Sequence, residues 1–317
     1  MQNLKLNYTP PPFLFNAHLE TLYPSLLRKV ELPLYTRERI TTPDNDFLDL
    51  DWLTQGSTKL IIISHGLEGN TQRSYIKGMA RAGYGNAYDI LAWNYRGCSE
   101  ELNKTLRFYH SGATDDLAVV IDHAQHTGKY REIYLVGFSL GGNLTLKYLG
   151  EERERPEILK KAITFSVPLD LRASCAKISQ PSNWIYSQRF LKSLRKKVIS
   201  KSRLMKGLDI KRLERVRTLR EFDDHFTGPI HGFKDALDYY HQCSAIRFVQ
   251  SVKLPTLVIN AANDPFLSPE CYPHQLLKQH PHVTFESPHH GGHVGFTQIN
   301  KNGLYWSEER AISFFKH

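Results

Sequence analysis

Glu132-Ile-Tyr-Leu-Val-Gly-Phe-Ser-Leu-Gly-Gly-Asn-Leu-Thr-Leu-Lys-Tyr-Leu-Gly-Glu151 joins two kinds of segment through a cluster of small residues. Its first residues form a short apolar run, as a buried strand requires, and from Leu140 onward it reads as a helix. At the junction, Gly137-Phe-Ser139-Leu-Gly141 matches G-x-S-x-G. A turn that passes directly from strand to helix strains the backbone and packs it closely, so small residues are needed on both sides of the serine. The helix start adds positive dipole beside the hydroxyl. Ser139 is therefore read as a nucleophile.

Working outward, similar runs recur at Lys59 to Ser64, Asp89 to Tyr95, Lys161 to Val167 and Thr256 to Asn260, with HVTFES as the last strand. Helical stretches lie between them at Tyr75 to Ala82, Asp115 to Thr127 and Leu140 to Glu151. This alternation specifies an α/β class: a mostly parallel central sheet flanked by helices. ERITTPDNDFLDLDWL reads instead as antiparallel lead-in strands joined by a turn at Asp44-Asn45. The 317 residues suffice for a sizeable core.

From about Leu171 to Gln250 the alternation stops. Phe190, Leu191, Leu194 and Val198 recur at helical spacing there, between two buried strands. The expected organisation is a core of residues 1–170 and 251–317 with a basic helical cap, 171–250, inserted between core strands. The basicity is concentrated in that cap. Between Leu171 and Arg220, 15 Lys or Arg face only Asp209 and Glu214, a balance of +13 that leaves the rest at −4 of the net +9. Its densest run holds Arg195, Lys196, Lys197, Lys201 and Arg203. Either this is a solvated helix face or it recruits an anionic membrane surface or substrate. No zinc-finger, RNP or helix-turn-helix signature accompanies it, so no nucleic acid is expected.

A serine hydroxyl is a weak nucleophile at neutral pH, so it needs a general base that a carboxylate orients. Both stand downstream. TLVIN runs into Ala261-Ala-Asn-Asp264-Pro-Phe, and Pro288-His289-His290-Gly-Gly-His293-Val-Gly-Phe follows the last strand. Asp264 is the expected acid, with Asp170 the rival after the preceding strand, and His293 is the expected base. A metal at His289, His290 and His293 is disfavoured, because Pro288, Gly291 and Gly292 preclude the helix that a zincin motif needs. The oxyanion donors are expected to be the backbone amides of Leu140 and of Leu67 in IISHGLEGN. His110 and Asp115 form an H-x4-D string that is too permissive to decide between hydrolysis and acyl transfer.

Composition narrows the class. Hydrophobic residues make up 41% and charged residues 23%, ordinary for a globular protein. Cys98, Cys175, Cys243 and Cys271 form no CxxC pair, which points to a reducing compartment rather than a disulfide framework. The N-terminal stretch has neither the pattern of a signal peptide nor a run long enough to span a bilayer. A cytoplasmic location is expected.

With these residues in view, the chain resembles the α/β-hydrolase superfamily and, within it, looks like the YheT-like hydrolases (the AB hydrolase 4 family). The resemblance runs through FNAHLETLYP, DFLDLDW, HGLEGN, WNYRGCSEELN, RFYHSGATDDL, VGFSLGGNLTLKYLGE, SVPLDL, ANDPF and HHGGHVGF. It implies an α/β-hydrolase fold, a Ser139, Asp264 and His293 relay, carboxylic-ester hydrolysis, and no metal or organic cofactor. In larger relatives it implies an N-terminal membrane anchor, which is not expected here. The combined expectation is a serine hydrolase acting through an acyl-enzyme on short- to medium-chain or lipid-like esters. An acyltransferase and a non-catalytic binding protein on the same fold are the alternatives.

Overall fold

The computed structural model describes residues 8–317, so the reading of the N-terminal stretch over residues 1–7 lies outside the described residues. After helix α1 (Ala17–Leu26) come strands β1 (Thr36–Thr41), β2 (Phe47–Leu53) and β3 (Lys59–Ser64). Then α2 (Ser74–Tyr84), β4 (Asp89–Asn94), α3 (Thr114–His126), β5 (Glu132–Phe138), α4 (Leu140–Gly150) and β6 (Leu159–Phe165) alternate. The eight-stranded sheet, completed by β7 (Thr256–Ile259) and β8 (Val283–Glu286), has the order β1-β2-β4-β3-β5-β6-β7-β8. β1 and β2 pair antiparallel, as do β2 and β4, and every later pairing is parallel.

Why the apolar runs become central strands is visible in β3. Leu60 and Ile62 join the core on one face, with Leu117, Val120 and Ile121 of α3 and Leu144 of α4. Ile61 and Ile63 join the core on the other, with Ile76 and Met79 of α2. Side chains alternate across a strand, so a strand covered on both faces must be apolar at every position. Burying each such side chain is worth about 1.5–3 kcal/mol. Helix α12 (Trp306–Lys316) completes the second face through Ala311, Ile312 and Phe315.

Between β6 and β7 lie α5 (Leu171–Ile178), α6 (Trp184–Ser202), α7 (Ile210–Arg215), α8 (Leu219–Phe222), α9 (Gly228–Ile230) and α10 (Ala236–Cys243). Residues 223–227 form a π-helical turn joining α8 to α9. These helices share their own small core of Leu191, Val198, Leu213, Val216, Leu219, Phe222 and Phe226. α11 (His274–Leu277) lies between β7 and β8.

The basic run divides where the charge pattern suggested one solvated face. Lys196 and Arg203 are exposed and Arg195 is half-buried, but Lys197 and Lys201 turn inward. Lys201 Nζ is fully buried and donates to Asn103 Oδ1 at 2.7 Å and to the Thr105 and Arg107 carbonyls at 2.7 and 2.9 Å. Spaced four apart, Lys197 and Lys201 share one face of α6. The outward stripe is Ile185, Arg189, Lys192, Lys196, Ile199 and Arg203, all exposed.

Candidate active site

Ser139 sits between β5 and α4 with φ 53° and ψ −118°, a strained conformation for a residue with a side chain. Its flanking glycines are forced. A Cβ on Gly137 would lie 2.5 Å from the Gly141 carbonyl oxygen, and one on Gly141 would lie 2.5 Å from that of Ser64. Without a side chain at Gly137 the start of α4 can fold back against β5, and without one at Gly141 it can press against the end of β3.

The two partners come from the loops after β7 and β8, where sites in open α/β sheets form. His293 Nε2 lies 2.9 Å from Ser139 Oγ. On the other edge of the ring, Nδ1 lies 2.9 and 3.1 Å from the two Asp264 oxygens. Asp264 is buried and its Oδ1 also accepts from the Phe266 amide at 2.9 Å, which fixes the carboxylate before it meets the ring. Asp170, the rival acid, instead caps α5 by accepting from the Ala173 amide at 2.9 Å. Of the other histidines, His289 is exposed and His290 faces Glu20 Oε1 at 3.2 Å. Only His293 of the three meets the serine.

The Leu67 and Leu140 amides have no protein acceptor among the described residues. Leu140 opens α4, where an amide has no intrahelical partner. Leu67 lies in the turn after β3, which Gly69 closes with a 3.0 Å bond to the Gly66 carbonyl. Gly66 is held by its own amide donating to Tyr75 Oη at 2.9 Å. Beside Leu67, Glu68 adopts φ 52° and is gripped by three groups. Its carboxylate accepts from Tyr109 Oη at 2.7 Å, from Lys197 Nζ at 2.7 Å and from Ser193 Oγ. Lys197 and Ser193 belong to α6, so a helix of the β6–β7 insertion reaches the turn that carries Leu67.

Sequence reasoning missed what orients the histidine loop. Glu20 of α1, 1% exposed, accepts from the Gly291 amide at 2.5 Å and from Asn263 Nδ2 at 3.0 Å. Thr21 Oγ1 accepts from the His293 amide at 2.9 Å, and Ser166 Oγ from that of Val294 at 2.9 Å. The signal was a lone acid on the buried face of the N-terminal helical stretch AHLETLYPSL.

Two chambers of nearly equal volume, about 150 and 160 Å³, meet at Ser139 and His293. The inner one is bounded by α5, α6 and α8 and runs along Leu140, Leu171, Ile178, Leu194 and Leu219. The outer one is lined by Arg73, Tyr75, Tyr186, Arg189 and Ser193. His110 lines the inner chamber, whereas Asp115 pairs with Arg107 at 2.7 Å, so the H-x4-D residues do not act as a pair. Arg96 binds Asp44, Asp46 and Asp116, which fixes the loop after β4. No group of three or more candidate metal ligands occurs among the described residues.

Comparison with known proteins agrees with this architecture. The profile of the alpha/beta hydrolase fold family matches residues 59–298. "Putative esterase YheT" of Escherichia coli is 34% identical over 89% of this chain and 84% of its own. Phospholipase ABHD3 of Bos taurus is 30% identical over 92% and 73%, and the monoacylglycerol lipase of Saccharomyces cerevisiae 30% over 87% and 62%. Among solved structures, the Pyrococcus furiosus esterase Pf2001 superposes with a TM-score of 0.62 at 19% identity, covering 92% of this chain and 95% of that one, a likeness of fold.

Proposed function

The chain belongs to the α/β-hydrolase fold family, and from that membership we propose that it is a serine esterase using Ser139, His293 and Asp264. The observation that carries the reading is one imidazole whose two nitrogens meet a serine hydroxyl and a buried carboxylate, beside two amides without acceptors. Ser139 Oγ attacks the ester carbonyl while His293 Nε2 takes its proton, and Asp264 stabilises the imidazolium. The Leu67 and Leu140 amides receive the oxyanion, each worth about 3 kcal/mol. His293 returns the proton to the leaving alcohol. Water, deprotonated by the same ring, then releases the acid. No step calls on a metal or an organic cofactor. Transfer to an alcohol would use the same acyl-enzyme.

The relatives named as an esterase, a phospholipase and a monoacylglycerol lipase support a small-molecule or lipid-like carboxylic ester as substrate. The inner, apolar chamber takes the acyl chain, and the outer one, carrying Arg73 and Arg189, takes the alcohol. Residues 171–250 act as a cap over both. The outward stripe of α6 sets Ile185 and Ile199 among Arg189, Lys192, Lys196 and Arg203, next to exposed Trp184, a composition suited to peripheral contact with an anionic membrane. No helix among the described residues is long and apolar enough to cross one.

The test is hydrolysis of p-nitrophenyl esters graded by acyl length. Ser139→Ala should keep its melting temperature and lose about three or more orders of magnitude in kcat. Activity within about tenfold of the unaltered protein would overturn the assignment.

A further inference from the structure

The inner chamber is apolar along most of its wall, yet a carboxyl group opens into it. Asp223 lies in the π-helical turn 223–227, between Phe222 and Asp224. Turns of this kind are rare and concentrate at functional sites. Phe222 and Phe226 stack at 5.3 Å in the cap core, while Asp223 and Thr227 face the chamber. One turn thus buries its aromatic side and presents its polar side to the cavity.

The fold does not use up this carboxyl. Asp223 Oδ2 accepts from Tyr240 Oη at 2.6 Å, and the Thr227 hydroxyl supplies a second bond. A carboxylate offers about four acceptor positions, so roughly half remain. No cation pairs with it among the described residues, since Arg220 binds Asp224 instead at 2.9 Å. Burial pushes Asp223 up to about 6. An apolar residue would line the chamber at less cost, because an acceptor left without a partner away from water is penalised.

We propose that the inner chamber is a subsite for an acyl chain bearing a hydroxyl group, with Asp223 accepting that hydroxyl's hydrogen bond. Leu171, Ile178, Leu194 and Leu219 hold the hydrocarbon, and Asp223 identifies the one polar substituent on it. The inference rests on reading the inner chamber as the acyl side of an esterase. A site built to bind a hydroxyl discriminates strongly against a chain lacking it, because the acceptor is then left unpaired.

Binding separates this proposal from the catalytic one. Ser139→Ala protein is titrated with fatty acids from hexanoate to tetradecanoate, each with and without a terminal hydroxyl, and Kd is read calorimetrically. At one or two lengths the hydroxylated acid should bind about tenfold tighter, a difference of about 1.4 kcal/mol. Asp223→Leu should abolish that preference, and Asp223→Asn, which keeps an acceptor and the contact to Tyr240, should retain part of it. Equal or weaker binding of the hydroxylated acid at every length overturns the subsite even if neither variant folds. So does a preference that survives Asp223→Leu. Failure of the esterase reading appears separately, as absence of hydrolysis by the unaltered protein.

Discussion

Lys197 of α6 reaches 2.7 Å to Glu68, the residue beside Leu67, so a helix of the β6–β7 insertion is fastened to the turn that carries the Leu67 amide. Both side chains are largely buried, at 17% and 6% exposure, and a charge left alone there costs several kcal/mol. Seating of the cap and alignment of the Leu67 amide are therefore coupled.

Lys197→Met should accordingly lower kcat by about tenfold or more while KM for a small neutral ester changes little, because a donor acts on the developing oxyanion rather than on the bound ester. Steady-state kinetics on p-nitrophenyl acetate read the split. A rise in KM with kcat unchanged would place Lys197 in substrate binding instead.

Asp264→Asn should lower turnover by about three orders of magnitude, since an amide favours the wrong imidazole tautomer. Asp170→Asn should leave it nearly unchanged, because an Asn caps a helix almost as well as an Asp. The reverse sensitivity would move the acid to the end of β6.

Much of this was legible in sequence, for identifiable reasons. The central parallel strands are short, largely apolar runs, and the elbow's glycines are set by contacts within a few residues of the serine or with β3, which made the pentapeptide readable. Chain order then pointed to Asp264 and His293. The support from Glu20 and Thr21 was not legible, because they bind residues about 270 positions away and no local pattern records such a contact. Nor did charge separate the lysines of α6, since both faces of that helix carry them and only packing against Glu68 and Asn103 turns Lys197 and Lys201 inward. Asp223 was hidden in a turn with π geometry, outside the ordinary helical period.

The split of the basic segment sharpens the membrane question. Reversing Arg189, Lys192 and Lys196 to Glu should weaken sedimentation with phosphatidylserine vesicles at low salt, whereas unaltered protein should bind and be released as salt is raised, as exposed charges are screened over about 8 Å at physiological ionic strength. If the triple reversal binds such vesicles as well as the unaltered protein, the stripe is only a solvated face.

Two buried histidines, His65 and His110, and the half-buried His231 set an acid limit on stability. His65 Nδ1 donates to the Gly66 carbonyl at 2.8 Å while Nε2 accepts from the Tyr95 amide, a neutral ring. Burial holds His65 down to about 3, His110 well below its ordinary 6.5 and His231 below it. Below about pH 6.5 the unfolded chain binds protons that these rings refuse, so the stability they lend is full above that pH and is lost as pH falls. Asp223 and Asp116, both raised by burial above 3.8, oppose this between about pH 4 and 6, whereas Lys201, held down to about 7 by burial, adds to the loss just below pH 7. Urea midpoints should therefore be lower at pH 5 than at pH 7. An equal or higher midpoint at pH 5 would contradict the assignment of neutral rings.

On the proposed mechanism, Ser139 is a nucleophile activated by His293. Incubation with a fluorophosphonate followed by peptide mass spectrometry tests it most directly, because the probe reacts with an activated serine whatever the natural ester. The prediction is one adduct, on Ser139, absent in Ser139→Ala and slowed by at least about a hundredfold in His293→Ala. An unlabelled folded protein, or an adduct elsewhere with Ser139 untouched, would contradict it.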